Sequence, residues 1–257
     1  MELRQSDPRT FGGPRKSEEA WPVYAIVPAH AGSNAESVAR QLSRELSEGF
    51  RLSVLLADFC SHGFPLWGLE RPKPRLDGRT WGGFVTRGQT FDMLEAREAD
   101  PRNISRLLDH ARARYQVTCA DLSEAGEAAA FEVMRQAEGI FLVADSDSES
   151  IELASHRAGW FRSMNLEDRA GLLLNRVRGG MDGAEAETRT GLPVCAVLDG
   201  SRGLNQLAQW LARTEELART REPGADQSEI LPSSGGRAGP VRATKVRASV
   251  VEFRRAG

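Results

Sequence analysis

A chain of 257 residues has room for one large domain with tails, and 40% hydrophobic against 27% charged residues is an ordinary globular composition. A formal net charge of -2 excludes a global pull toward nucleic acid or anionic membrane, so any such attraction has to be local. No apolar run approaches the roughly 18 to 20 residues that span a bilayer and no signal-peptide core is present, so the expectation is a cytoplasmic protein.

Residues 1–21 combine Pro8, Pro14, adjacent glycines and scattered charges without apolar periodicity, which predicts a flexible lead-in. The run Val23 to Val27 is continuous and β-branched, the pattern of a strand buried on both faces. After Pro28 and the loop His30 to Ser37, helical spacing places Ala35, Val38, Ala39, Leu42 and Leu46 on one side, with Gly49 as the stop. Leu52 to Ala57 reads as a second strand closed by Asp58, completing a βαβ unit.

Periodicity then breaks from Phe59 to about Gly88, where Pro65, Pro72 and Pro74 stand among the aromatics Phe64, Trp67, Trp81 and Phe84. The stretch is either a partner-docking flap or a surface loop packed on its own aromatics. Asp100-Pro101 predicts a helix start, an N-cap followed by proline in the first turn, with Ile104, Leu107, Leu108 and Ala111 as the buried face. Alternation continues with strands at Tyr115 to Ala120, Gly139 to Ala144, Gly171 to Leu174 and Pro193 to Leu198. Helices are expected at about 128–137, 148–164, 183–190 and 204–217.

Strands without polar alternation, separated by helices, predict an α/β domain over 22–219 with a mostly parallel sheet covered on both faces. Ligands of such sheets bind beyond the carboxyl ends of the strands. Five polar points fall there: His30 to Ser37, Asp58, Asp121 to Ser123, Asp145 to Asp147, and Asn175-Arg176. They are expected to converge on one sheet edge. Cys119 and Cys195 lie inside apolar strands as small buried hydrophobes, and with Cys60 they show no metal-type spacing. Residues 220–257 lose the pattern, and from Ser233 onward six basic residues face one acid, Glu252. This tail is expected either to solubilise the chain end or to contact anionic lipid or nucleic acid.

Several short runs carry a more specific signal. They are His30-Ala31-Gly32-Ser33-Asn34-Ala35-Glu36-Ser37, Leu55-Leu56-Ala57-Asp58, Tyr115 to Leu122, Ala137 to Ala144, Leu174-Asn175-Arg176-Val177 and Thr190-Gly191-Leu192-Pro193-Val194. In this order they resemble the phosphate loop, carboxylate strand, switch strand, apolar strand, base-binding Asn-Arg and Leu-Gly-x-Pro-Val turn of the MinD/ParA family of deviant P-loop ATPases. CpaE-like pilus-assembly proteins and bacterial polysaccharide tyrosine kinases belong to the same family, and the likeness covers about 23–214. It implies a three-layer α/β/α P-loop NTPase-like fold and catalytic carboxylates at Asp58 and Asp121. It also implies a nucleotide base site at Asn175 and Arg176.

The departures stand where the family's chemistry would occur. In a P-loop, glycines let backbone amides approach phosphate oxygens, a lysine bridges two phosphates, and a hydroxyl holds Mg²⁺. Here the lysine position is Ala35, the hydroxyl position Glu36, the last loop glycine Asn34 and the family's signature lysine His30. Ser33 to Glu36 also fits the S-x-x-E capping box, with the Ser33 hydroxyl on the Glu36 amide and the Glu36 carboxylate on the Ser33 amide. Asp58 and Asp121 then read either as Mg²⁺ and water ligands or as caps of the turns that follow their strands. His30 reads as a loop histidine, since no triad or metal spacing accompanies it.

The expectation is a pseudo-ATPase that scaffolds or regulates a bacterial envelope machine such as polysaccharide export or pilus assembly, with no resident metal. Weak ATP or ADP binding is left open. Expected partners are proteins, a membrane-embedded complex or a homologous ATPase, in a homo- or heterodimer, with peripheral contact at the inner membrane. The alternative is an active, ATP-binding MinD/ParA-type ATPase that borrows a partner's lysine, for positioning or partitioning. With Tyr24 and Tyr115 as the only tyrosines, tail autophosphorylation is excluded.

Overall fold

The computed structural model describes residues 21–60, 85–96, 99–176 and 179–220, and for 201 and 214–220 the backbone alone. The expected lead-in, most of the aromatic stretch 59–88, and the basic tail lie outside the described residues. Strand β1 (Val23–Pro28) is followed by helix α1 (Ala35–Arg44), a π-helical turn (Glu45–Gly49) and β2 (Val54–Asp58). Then come β3 (Val85–Thr86), β4 (Asp92–Glu95), α2 (Pro101–Arg112), β5 (Val117–Asp121), α3 (Glu127–Gln136), β6 (Gly139–Asp145) and α4 (Ser148–Ser163). The series closes with β7 (Ala170–Asn175), α5 (Gly183–Thr190), β8 (Val194–Leu198) and α6 (Ser201–Thr220).

The eight strands form one sheet in the order β3-β4-β2-β5-β1-β6-β7-β8, parallel throughout except for the antiparallel β3 at one edge. Because successive side chains alternate between faces, each central strand feeds two cores. Val23, Ala25 and Val27 of β1, with Ile140 and Leu142 of β6, meet α2 through Ile104 and Leu108, α3 through Met134, and α4 through Ile151 and Phe161. Tyr24 and Ile26, with Phe141 and Val143, meet α1 through Val38 and Leu42, and α6 through Leu207 and Leu211. The result is the three-layer α/β/α architecture that the apolar runs predict.

Local chemistry sets the helix ends. Asp100 caps α2 by accepting from the Arg102 amide, with Pro101 in the first turn, and Asp147 caps α4 by accepting from Ser150 N-H. Gly191 closes α5 in the left-handed conformation at φ 70°, which glycine adopts without a Cβ penalty. The helical run from Ala35 stops at Gly49 as expected, but its last turn widens to π geometry. That turn is tied on two sides. Ser47 Oγ donates to Thr90 O, Thr90 Oγ1 donates to Glu48 Oε1 at 3.0 Å, and Asn205 Nδ2 donates to Glu45 Oε2 at 3.1 Å.

Strand β4 was not expected. Asp92-Met93-Leu94-Glu95 has no β-branched residue, and only Leu94 is fully buried. It pairs parallel with β2, and Tyr115 ties it inward by donating to Asp92 Oδ2 at 2.8 Å. Tyr115 therefore lies before β5 rather than within it. The start of β1 is held by Glu138, which accepts from Val23 N-H at 2.7 Å and from Arg112 at 3.3 Å.

Phe141 lies fully buried at the middle of the sheet, with its ring 5.8 Å from that of Tyr24. Phe141→Ala should lower unfolding free energy by about 3 to 5 kcal/mol. Urea titration should show the midpoint falling at unchanged slope.

Candidate functional site at the carboxyl edge of the sheet

Parallel pairing brings the carboxyl ends of β2, β5, β1, β6 and β7 to one edge. Asp58 stands in register with Asp121, and Asp145 with Asn175. Backbone bonds continue past the strands: Leu122 N-H donates to Ile26 O, Ala29 N-H to Val143 O, and Ser146 N-H to Asn175 O. The loop His30 to Asn34 crosses this edge, and all five expected polar points meet on it.

The loop is not built as the sequence suggested. Helix α1 begins with Asn34 as its N-cap in left-handed geometry, φ 55° and ψ 26°, and no side chain caps it. The capping box does not form. Ser33 is fully buried and its hydroxyl donates back to His30 O at 2.9 Å, while its amide donates to the same carbonyl. Glu36 faces solvent and pairs along the helix with Arg40 at 3.0 Å. A left-handed residue at the cap turns both side chains away from the geometry that a capping box needs. Ala31 and Gly32 are exposed, Ala35 is buried in the core under the sheet, and the Ser37 hydroxyl accepts from Gln41 Nε2 at 2.9 Å.

His30 is more than a surface histidine. Its Nδ1 accepts the Gly32 amide at 3.1 Å and its Nε2 lies 2.9 Å from Ser150 Oγ. Since Nδ1 is an acceptor, the neutral ring carries its proton on Nε2 and donates it to Ser150, which also accepts from Asp145 N-H. A ring so protonated cannot withdraw the serine proton. Together with Asp145, whose Oδ2 lies 3.9 Å from Nε2 rather than on Nδ1, the group is therefore no nucleophile triad. Sequence spacing gave no sign of this network, because His30 stands 115 and 120 positions from Asp145 and Ser150 in the chain.

Asn175 joins the same network. Its Nδ2 donates to Ser33 O at 3.1 Å and to Asp145 Oδ1 at 2.9 Å, so both amide hydrogens are used within the protein. Arg176 is exposed and pairs loosely with Asp199 at 3.8 Å. The expected base site is thus divided: one residue supports the loop and the other lies in solvent.

On the other side of the loop, Asp58, Cys60 and Asp121 are all buried, with ligand-type atoms within 4.8 Å of one another. Both aspartates also cap turns. Asp58 Oδ1 accepts Cys60 N-H at 2.9 Å, and Asp121 Oδ1 accepts Ser123 N-H at 3.0 Å and Ser123 Oγ at 2.5 Å. Burial pushes the Asp121 carboxyl up from its ordinary value, against the Ser123 hydrogen bonds and with the negative charges of Asp58 and Glu36 adding to the rise. Burial also raises the Cys60 thiol, with Asp121 and Asp58 contributing, so without a cation it is a neutral thiol. Cys119 and Cys195 are buried in their strands and pushed up to about 12 by burial, as small core residues are.

No family model matches the sequence, and no curated protein matches it. Solved structures do. A ParA family ATPase from Chlorobium tepidum TLS superposes with a TM-score of 0.59 at 17% identity, covering 78% of this chain and 94% of that one. The septum site-determining protein MinD complexed with Mg-ADP from Pyrococcus horikoshii OT3 gives 0.59 at 16%, covering 79% and 99%. MinD in a MinC:MinD cell division complex from Aquifex aeolicus gives 0.56 at 15%, covering 80% and 98%. The fold is therefore MinD/ParA-like. At these identities the likeness shows fold alone.

Two outcomes test this geometry. Asn34→Val should cost about 1 to 2 kcal/mol, because a β-branched residue resists left-handed backbone, whereas Asn34→Gly should not destabilise; thermal denaturation of both distinguishes them. For Asp121, a folded-state value above the ordinary 3.8 means its contribution is most favourable below that pH and is lost as pH rises through the folded value. Asp121→Asn should therefore raise the melting temperature at pH 8, with the gain shrinking toward pH 4.

Proposed function

We propose that this protein is a non-hydrolysing MinD/ParA-like pseudo-ATPase, in the CpaE-like and polysaccharide-kinase-like branch, with a degenerate Walker A loop. It acts as a scaffold or regulator of a bacterial envelope machine such as polysaccharide export or pilus assembly. The supporting observation is electrostatic. Where the family's lysine and metal-binding hydroxyl would stand, Ala35 is turned into the core and Glu36 adds negative charge to that around Asp121. Glu36 also sits at the positive end of the α1 dipole, where a carboxylate competes with any phosphate.

These residues do not fit a magnesium nucleotide. The Gly32 amide already donates to His30, both hydrogens of the Asn175 amide are committed, and no lysine lies among the described residues. No step of catalysis is therefore derived for this site. Weak ATP or ADP binding at the edge is compatible with the proposal. The chain's lysines, Lys16, Lys73 and Lys245, which the active-ATPase alternative needs, lie outside the described residues.

The assembly role rests on family likeness and on the preserved architecture, which offers helical faces to protein partners or to a second copy. Among the described residues no helix is long and apolar enough to cross a membrane. In this proposal contact with the inner membrane is peripheral, through the basic residues of 233–257 and through protein partners.

Calorimetric titration of the full chain with Mg-ATP tests the proposal. Binding should be absent or weaker than about 100 μM, which corresponds to roughly -5.5 kcal/mol. Tighter binding would overturn it.

A further inference from the structure

We propose that His30 is a proton-operated latch that sets the conformation of the loop between β1 and α1. The ring bridges two bodies. Nδ1 receives the Gly32 amide from the loop, and Nε2-H is given to Ser150 at the start of α4. The contact is close: a Cβ on Gly32 would lie 3.2 Å from the ring's Cε1 and 3.3 Å from Nδ1, so a larger residue would press the imidazole aside by a few tenths of an ångström.

The latch holds in one protonation state alone. A second proton enters at Nδ1, because Nε2 already carries one, and Nδ1-H cannot accept from an amide. The Gly32 bond is then lost and two N-H donors face each other at hydrogen-bond distance, so the loop has to move. At the same moment the ring becomes a cation 3.9 Å from Asp145 Oδ2, which draws it toward β6. Asp145 also accepts from Asn175, and Asn175 holds Ser33 O, so the change reaches the far side of the same loop.

Charged groups stand on each element that meets the loop, and Asp145 lies within reach of the ring. From β6 comes Asp145, with its side chain 24% exposed, and from the α4 cap comes Asp147, whose Oδ1 is occupied by Ser150 N-H. From α1 comes Glu36, which is paired with Arg40, and from the tip of β7 comes Arg176, which is paired with Asp199. Asp145, whose Oδ1 holds Asn175, is thus the group whose Oδ2 meets an imidazolium, and the cycle needs no reagent other than a proton. Histidine ordinarily changes charge between about pH 5 and 8.

Nuclear magnetic resonance on the full chain, with ring nitrogens and backbone amides labelled and the four histidines assigned, tests this reading. At pH 8 His30 should show the Nε2-H tautomer and a protected Gly32 amide. On lowering the pH to 5, the Gly32 protection factor, which normalises observed exchange to the intrinsic rate at each pH, should fall at least tenfold, with the same midpoint as the His30 ring. Asp145→Asn should move that midpoint to lower pH. His30→Gln, whose carbonyl can accept from Gly32 at any pH, should abolish the dependence. An Nδ1-H tautomer at pH 8, or a Gly32 amide indifferent to the His30 titration, would overturn the latch. Should a variant fail to fold, the tautomer and midpoint of the unsubstituted protein decide alone. None of these readouts depends on nucleotide binding, so the latch and the pseudo-ATPase proposal succeed or fail separately.

Discussion

The two hydrogen bonds given by the Asn175 amide hold the carboxyl edge of this sheet in one piece. One goes to the loop after β1 and the other to the strand end of β6. A side-chain amide suits the position because it supplies two directed donors and no charge. A cation there would neutralise Asp145 outright, and an apolar residue would leave the buried end of the loop without a partner for Ser33 O. The register of β6 with β7, which sets Asp145 opposite Asn175, puts the amide within reach of both acceptors.

Around that anchor the edge divides into two chemical halves. Toward β6 and β7 lies a neutral polar network of His30, Ser150 and Asn175 with one carboxylate. Toward β2 and β5 lie buried acids, Asp58 and Asp121, with Cys60 beside them. Each half satisfies its groups locally, by capping turns and by bonding the loop to itself.

Much of this was legible in the sequence. Uninterrupted apolar strands announced a parallel sheet buried on both faces, and the Asp100-Pro101 and Gly191 signals marked helix ends that the structure keeps. Strand β4 was not legible, because Asp92 to Glu95 owes its extended form to pairing with β2 and to Tyr115 rather than to its own propensity. The loop departs from its sequence pattern for a related reason. The spacing Ser33 to Glu36 matches a capping box, but with Ser33 as the cap that motif needs Asn34 as the first right-handed helical residue, and Asn34 is left-handed. Backbone handedness at a single asparagine decided where two side chains went. The partnership of His30 with Ser150 and Asp145 depends on the crossing of loop over strand end, which local pattern does not encode.

The π-helical turn at the far end of α1 has a mechanical consequence. Glu45 is fastened to α6, and Ser47 and Glu48 to Thr90 beside β4. Helix α1 is therefore pinned at its carboxyl end and joined to the sheet edge by its loop at the other. A rod fixed at one end converts a displacement at the other into a tilt. Small rearrangements of the loop would thus appear on the outer face of α1 as a change of angle, several turns from where they began.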